Sequence, residues 1–306
     1  MQVHYGLASM HAEWPGAVVC IGTFDGVHLG HQAVVAQAVE TAEERQLPTV
    51  LVTFDRHPFA VIRPEAVPQA IADLDQNVRQ FEELGVDVTV VLPFDEKLRD
   101  TEAEAFYEDV VARALRAEHV VVGHDFAFGK DRVGTASWLS ERVPTSVVEP
   151  FEKNGRRVSS SEIRRAVVAG DVAEAASLLG RPFELSGVVV AGERLGRELG
   201  YPTANLARSG NTVVPANGIY AGEAATRFGR YRAAISVGVR PTVAATGART
   251  VEAHLIDYPG TSLYGRQVRL TFERRLRDEM RFDSLEALKE QMAADVASAA
   301  RPGGCT

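Results

Sequence analysis

The sequence predicts a parallel α/β unit followed by a small antiparallel β-barrel or sandwich. Three observations carry that expectation. Apolar, β-branched runs alternate with helical stretches through the first half, the pattern of a parallel sheet covered on both faces. Short β-branched segments separated by Gly and Pro turns then take over. Charge divides at the same place: Met1–Glu184 carries 17 Lys/Arg against 29 Asp/Glu (net −12), and Leu185–Thr306 carries 16 against 12 (net +4). A chain of 306 residues has length for two cores, so the expected domains are residues 1–184 and 185–306.

Taken in order, the expected strands of the first half are Val18–Ile21, Thr49–Phe54, Val86–Leu92, His119–Gly123 and Ser146–Val148. Helical periodicity falls between them at Leu29–Arg45, Leu74–Leu84, Ala103–Arg116 and Thr135–Arg142. Two more helices fit Ser160–Ala169 and Val172–Leu179, the second stopped by Gly180. After Arg181-Pro182 the strand-like segments are Ser186–Val190, Ile219–Ala225, Tyr231–Val237, Thr250–Ile256 and Gln267–Phe272. A last helix is expected from a capping-box pattern at Asp283 and Glu286, with Leu285, Leu288, Met292 and Val296 on one face and a disordered tail from Ala300.

Composition excludes several function classes. Net charge is −8, and no basic run stands out, which disfavours a nucleic-acid partner. Two cysteines, Cys20 and Cys305, make neither a disulfide framework nor a zinc knuckle. No apolar run reaches membrane-spanning length and no leader pattern opens the chain, so the expected compartment is the cytoplasm, away from membranes.

The most specific string is Gly22-Thr23-Phe24-Asp25-Gly26-Val27-His28-Leu29-Gly30-His31. It joins an apolar strand to a helix start, which places unpaired backbone N–H groups and the positive end of a helix dipole together. Three-residue spacing lets His28 and His31 face the same side of the first turn. Two imidazoles there can hold a triphosphate as charge builds on its bridging oxygen. The plain alternatives are two polar residues on a helix surface, or a metal pair, for which no third ligand lies nearby. The spacing is neither a P-loop nor a dinucleotide fingerprint. It resembles the HxGH signature of the nucleotidylyltransferases.

Other strings fall at strand ends, where parallel sheets bind ligands. Thr53-Phe54-Asp55-Arg56-His57-Pro58 follows the second strand, and Val122-Gly123-His124-Asp125-Phe126-Ala127-Phe128-Gly129 the fourth. In Val158-Ser159-Ser160-Ser161-Glu162-Ile163-Arg164, the hydroxyls of Ser160 and Ser161 either cap a helix or, with the planar fork of Arg164, bind phosphate. In the second half, Gly200-Tyr201-Pro202-Thr203-Ala204-Asn205-Leu206 is expected in a loop. Thr203 and Asn205 alternate, so they face one way and offer hard oxygen ligands for Mg²⁺; the alternative is a turn held by its own side chains. Glu252 lies in an apolar strand, either on a solvated face or as a working carboxylate.

As an ordered set, these strings, with Gly238-Val239-Arg240-Pro241-Thr242, VEAHLIDY and LRDEMRF, resemble the bifunctional bacterial riboflavin kinase/FAD synthetase family over residues 15–298. The resemblance implies an α/β nucleotidylyltransferase (Rossmann-like) domain that adenylylates FMN and a six-stranded barrel that phosphorylates riboflavin. It also implies Mg²⁺ as cofactor, ATP, riboflavin and FMN as substrates, and a monomer or weak homo-oligomer. By motif, Gly22, Asp25, Gly26, His28 and His31 would handle ATP, and Ser160, Ser161 and Arg164 the leaving pyrophosphate. Asp125 would lie near adenine or flavin, Thr203 and Asn205 would hold Mg²⁺ and ATP, Glu252 would be the base, and Arg277 would lie on the flavin side. Arg56, Glu193, Ser236-Val237 and Val243 depart from the family's usual Pro, Asp, Asn-Ile and aromatic. A monofunctional nucleotidylyltransferase and a non-catalytic flavin-binding regulator are the competing readings.

Overall fold

The computed structural model describes residues 1–10, 14–192, 195–208, 210–239 and 249–301. Glu193, Val243, the Arg240-Pro241-Thr242 part of the turn string and Cys305 lie outside the described residues. Backbone contacts divide the chain into two compact units, Met1–Ser160 and Ser161–Thr306.

The first unit is built on a parallel sheet of β1 (Gln2–Tyr5), β2 (Ala17–Ile21), β3 (Thr49–Phe54), β4 (Val88–Leu92), β5 (Ala117–Gly123) and β6 (Thr145–Val148), in the order β1-β4-β3-β2-β5-β6. Alternation sorts the strand residues onto two faces. Val19, Ile21, Val50, Val52, Val90 and Val120 enter one core, and Val18, Cys20, Leu51 and Val121 enter the other. The second core is closed by α1 (Leu29–Arg45) through Val34, Val35, Ala38 and Ala42, and by Phe81 of α2 (Leu74–Glu83). Asp73 and Gln76 form a full capping box at the start of α2.

The expected helix Ala103–Arg116 is α-helical only over Ala103–Phe106 and continues as a π-helix over Tyr107–Ala114. Its widened turns end on a bond from Leu115 N–H to the Val110 carbonyl (2.9 Å), and they turn Phe106, Val110, Val111 and Leu115 together into the first core. The expected helix at Thr135–Arg142 is shorter, Ala136–Ser140, because Thr135 caps it through Trp138 N–H. β1 had no expected counterpart.

In sheet order, the chain runs from β2 outward to β3 and β4, then returns to the other side of β2 with β5 and β6. The direction switches between β2 and β5, where a crevice opens beyond the carboxyl ends of the strands. The Gly22–His31 loop leaves β2 at that point.

The second unit holds α3 (Ser160–Ala169), which starts one residue before the division, and α4 (Val172–Leu179), capped by Asp171 and stopped by Gly180 at φ 74°. A closed antiparallel barrel follows: β7 (Phe183–Val190), β8 (Ala204–Ala207), β9 (Gly218–Thr226), β10 (Gly229–Val239), β11 (Arg249–Leu255) and β12 (Gln267–Arg277), in the order β7-β8-β11-β10-β9-β12. Phe183 already lies in β7, so a boundary at Glu184/Leu185 falls inside that strand. β8 corrects the expected loop: Ala204 pairs with Ala253 and Asn205 with Glu252. Gly222 allows β9 and β12 to meet, since a Cβ there would lie 1.8 Å from the Thr271 carbonyl oxygen.

The last helix, α5 (Leu285–Ala300), is capped by Ser284 accepting from Ala287 N–H (3.1 Å), not by the expected Asp283/Glu286 box. Leu288, Met292 and Val296 are half-buried on the expected face, joined by buried Asp295 and Ala299, while Leu285 is 59% exposed. Arg232 donates to the Ala299 carbonyl, and Arg277 grips Asp295. The helix includes Ala300, where the tail was expected to begin.

Candidate active sites

The first site is set by an irregular loop. Phe24, Gly26 and Val27 have φ of 46°, 77° and 42°, a left-handed passage that a β-branched residue tolerates only when its surroundings enforce it. Two side chains supply that enforcement. The Asp25 carboxylate accepts from the N–H groups of Ile71 (2.9 Å) and Ala72 (3.4 Å), and Asn77 Oδ1 accepts from Gly26 N–H (3.1 Å). A Cβ on Gly26 would lie 2.6 Å from Ile71 Cγ2. Asp25 and Gly26 therefore shape the loop, while Gly22 and Phe24 line the crevice it borders.

His28 caps α1, its Nδ1 accepting from His31 N–H (3.2 Å), so its remaining proton is on Nε2. The His28 and His31 rings stack at 3.6 Å with 17° between planes, on one side of the helix start as the spacing predicts. The edge of Phe24 meets His31 at 5.4 Å. Burial first, and then electrostatic coupling to the adjacent His28 imidazole, holds the His31 pKa well below the ordinary histidine value. His31 is thus neutral near pH 7, and its Nδ1 is buried with no hydrogen-bond partner among the described residues. The first turn of α1 has no carboxylate to compete for an anion.

A cleft of about 960 Å³ lies against His31, lined also by Gly22, Phe54, Phe126, Phe128 and Asp125. Asp125 accepts from Arg157 (2.8 Å) and is largely exposed. Asp55 ties the end of β3 to the next loop by accepting from Phe94 N–H (2.9 Å), and Arg56, the departure beside it, pairs with the same carboxylate. Phe59, Phe94 and Phe106 also line the cleft, and sequence reasoning did not single them out. Ser160, the last residue of the first unit, donates to the Asp25 carbonyl (3.4 Å). Ser161 and Arg164 lie in the first turns of α3.

The second site lies on the barrel's outer face. Val251, Ala253 and Leu255 point inward, which leaves Glu252 outward and half-buried. Cross-strand partners share a face. The register therefore lines up Asn205, Glu252, Ser236, Ile219 and Arg277 in one row across β8, β11, β10, β9 and β12. Thr203 Oγ1 donates to Glu252 Oε2 (3.2 Å), so Thr203, Asn205 and Glu252 form one oxygen-rich group. A Cβ on Gly192 would lie 2.3 Å from Asn205 Nδ2, so only glycine admits the buried amide. Ser236, another departure, sits directly opposite Glu252.

Arg277 is committed elsewhere in the row. Its Nε and Nη2 donate to Asp295 (3.0 and 2.7 Å) and its Nη1 to the Asp278 carbonyl (2.8 Å), and Gln291 completes the Asp295 shell. Among the described residues no group of three or more His, Cys, Asp or Glu could hold a metal ion. The Thr203–Asn205–Glu252 set is mainly neutral oxygen, which suits a hard divalent ion sharing its shell with water and phosphate.

A parallel sheet with paired histidines at its switch point in one unit, and a closed barrel bearing a carboxylate–threonine pair in the other, define a two-site protein suited to phosphate esters. Comparison with known proteins narrows this. A family model described as FAD synthetase matches residues 10–162, and one described as riboflavin kinase matches residues 179–302. The bifunctional riboflavin kinase/FMN adenylyltransferase of Pseudomonas fluorescens is 39% identical over 304 residues, covering 98% of this chain and 97% of that protein. The protein of the same description from Bacillus subtilis is 32% identical over 93% of this chain and 92% of its own. The chain belongs to the bifunctional riboflavin kinase/FMN adenylyltransferase family. A crystal structure from Streptococcus pneumoniae, described as a macrolide-efflux protein, has TM-score 0.89 and 31% identity over 99% of this chain and all of that one. Among the described residues of this chain, no helix is long and apolar enough to cross a membrane.

Proposed function

We infer that this chain carries out two ATP-dependent transfers in sequence: phosphorylation of riboflavin to FMN, then adenylylation of FMN to FAD with release of pyrophosphate. The observation that carries the reading is the family match over nearly the whole chain, and the stacked His28/His31 pair and the Thr203–Glu252 bond support it. The functional division lies between residues 162 and 179, where one family match ends and the other begins.

In the kinase, the ribityl terminal hydroxyl gives its proton to Glu252 as its oxygen attacks the γ-phosphorus of ATP, and ADP leaves. Phosphoryl transfer needs positioning and charge neutralisation more than covalent help, so one carboxylate suffices. Thr203 donates to one Glu252 oxygen and leaves the other for the substrate proton. Thr203 and Asn205 would hold Mg²⁺, which supplies neutralisation of phosphate charge when bound. Arg277 also fixes α5 against β12 through Asp295.

In the adenylyltransferase, an FMN phosphate oxygen attacks the α-phosphorus of ATP. That nucleophile is already ionised, so the site needs donors for the leaving pyrophosphate instead of a base. His28 and His31 each offer one N–H beside the amides of α1, and Ser160 adds a hydroxyl next to the Asp25 carbonyl. The aromatic cleft suits the isoalloxazine ring, with Asp125 at its edge. The protein belongs to cytoplasmic small-molecule metabolism.

Incubation with riboflavin, ATP and Mg²⁺, followed by chromatographic separation of flavins, tests the reading. FMN should appear first and FAD after it. Absence of both would leave a non-catalytic flavin-binding protein.

A further inference from the structure

We propose that His254 is a positioning residue of the phosphoryl-transfer site, acting through the Pro202 carbonyl to hold Thr203 against Glu252. The proposal rests on the roles of Thr203 and Glu252 given above.

Along β11, residues 252 and 254 share the outer face. The ladder with β8 pairs Ala204 with Ala253 and Asn205 with Glu252, so the same register carried one step further sets Thr203 opposite His254. Regular pairing stops there, since Pro202 has no N–H to give. A side chain takes over: His254 Nδ1 lies 2.9 Å from the Pro202 carbonyl oxygen. The carbonyl can only accept, which puts a proton on Nδ1 in either charge state of the ring. The edge of the same imidazole meets Tyr201 at 5.4 Å and 79°. Tyr201 N–H in turn donates to the Gly196 carbonyl (2.7 Å).

The segment Tyr201–Asn205 is thus fastened at successive points: Tyr201 to Gly196, Pro202 to His254, Thr203 to Glu252 and Asn205 into the sheet. The ring of Pro202 fixes φ, so a single bond to its carbonyl fixes the approach of Thr203. Losing that bond releases the hydroxyl that orients the base. Such a misplacement costs rate out of proportion to the bond.

The test uses the full chain. His254→Ala should lower kcat for riboflavin phosphorylation by roughly 10–10² and raise the KM for Mg·ATP. His254→Asn places an amide N–H where Nδ1 stood and should restore most of the rate. Either charge state of His254 can donate, so the pH–rate profile should keep its shape in both variants. Cooperative thermal unfolding followed by circular dichroism serves as the folding control, and conversion of FMN to FAD should be unchanged. The proposal fails if folded His254→Ala phosphorylates riboflavin like the wild type. It also fails if His254→Asn is as slow as His254→Ala, or if either variant loses a limb of the pH profile, which would make the imidazole an acid or base. Should His254→Ala not fold, the rate of His254→Asn decides. Failure of the underlying reading is distinct: the wild-type protein would then make no FMN.

Discussion

Replacing Glu252 with glutamine separates chemistry from architecture. Glu252 is half-buried on the outer face of β11, and its one described side-chain bond is accepted from Thr203 at 3.2 Å. Glutamine Oε1 can accept that bond, so the expected stability change is below ~1 kcal/mol, the worth of one ordinary hydrogen bond. The lost function is proton removal from a poor nucleophile, worth typically 10²–10⁴ in rate, or about 3–5 kcal/mol of barrier. The rate effect should therefore exceed the stability effect severalfold. Wild-type and Glu252→Gln proteins would be assayed with saturating riboflavin, ATP and Mg²⁺, with FMN quantified by chromatography and FMN-to-FAD conversion measured in parallel. Near wild-type turnover in the variant would refute the argument and return Glu252 to a solvated strand face.

Replacing His28 or His31 with alanine should each lower FAD formation from FMN by roughly 10²–10³, with FMN formation from riboflavin retained; equal loss of both in a folded variant would argue for a shared site. His119 is held below the ordinary histidine pKa by burial and then by Arg45, so the unfolded chain takes up the proton first as pH falls. Its contribution to stability is complete above about pH 6.5 and declines below it; His119→Gln should shrink the fall in melting temperature between pH 7.5 and pH 5, and an unchanged fall would contradict the assignment. Arg277→Met leaves the Asp295 carboxylate buried and unpaired, an expected loss of about 3–5 kcal/mol in denaturant unfolding; a change within error would show that α5 is held by other contacts.

Local chemistry made part of this molecule legible. The His28/His31 pair could be read because a helix start and three-residue spacing are properties of one short segment, and the rings do stack at 3.6 Å. The alternation of Thr203 with Asn205 likewise foretold their shared face, but their meeting with Glu252 depends on a strand pairing that spacing cannot express. β8 was expected to be a loop because it is four residues long and follows a proline. β1 is short and carries polar residues, and it owes its place to pairing with β4. The partners of Asp25 and Arg277 lie 46 and 18 residues away, so a carboxylate and a guanidinium that looked ready for ligand are engaged in holding loop and helix. Ser284 displaced Asp283 as the cap of α5, a one-residue difference that both side chains could satisfy locally.

The central claim is that one chain carries two complete and separable sites, and mixing two damaged copies tests it most directly. Glu252→Gln should make little FMN from riboflavin, and His31→Ala should make FMN but little FAD. Incubated together with riboflavin, ATP and Mg²⁺, the two variants should restore FAD synthesis, because FMN released by one is the substrate of the other. A mixture that makes no more FAD than either variant alone, with both proteins folded, would contradict the account.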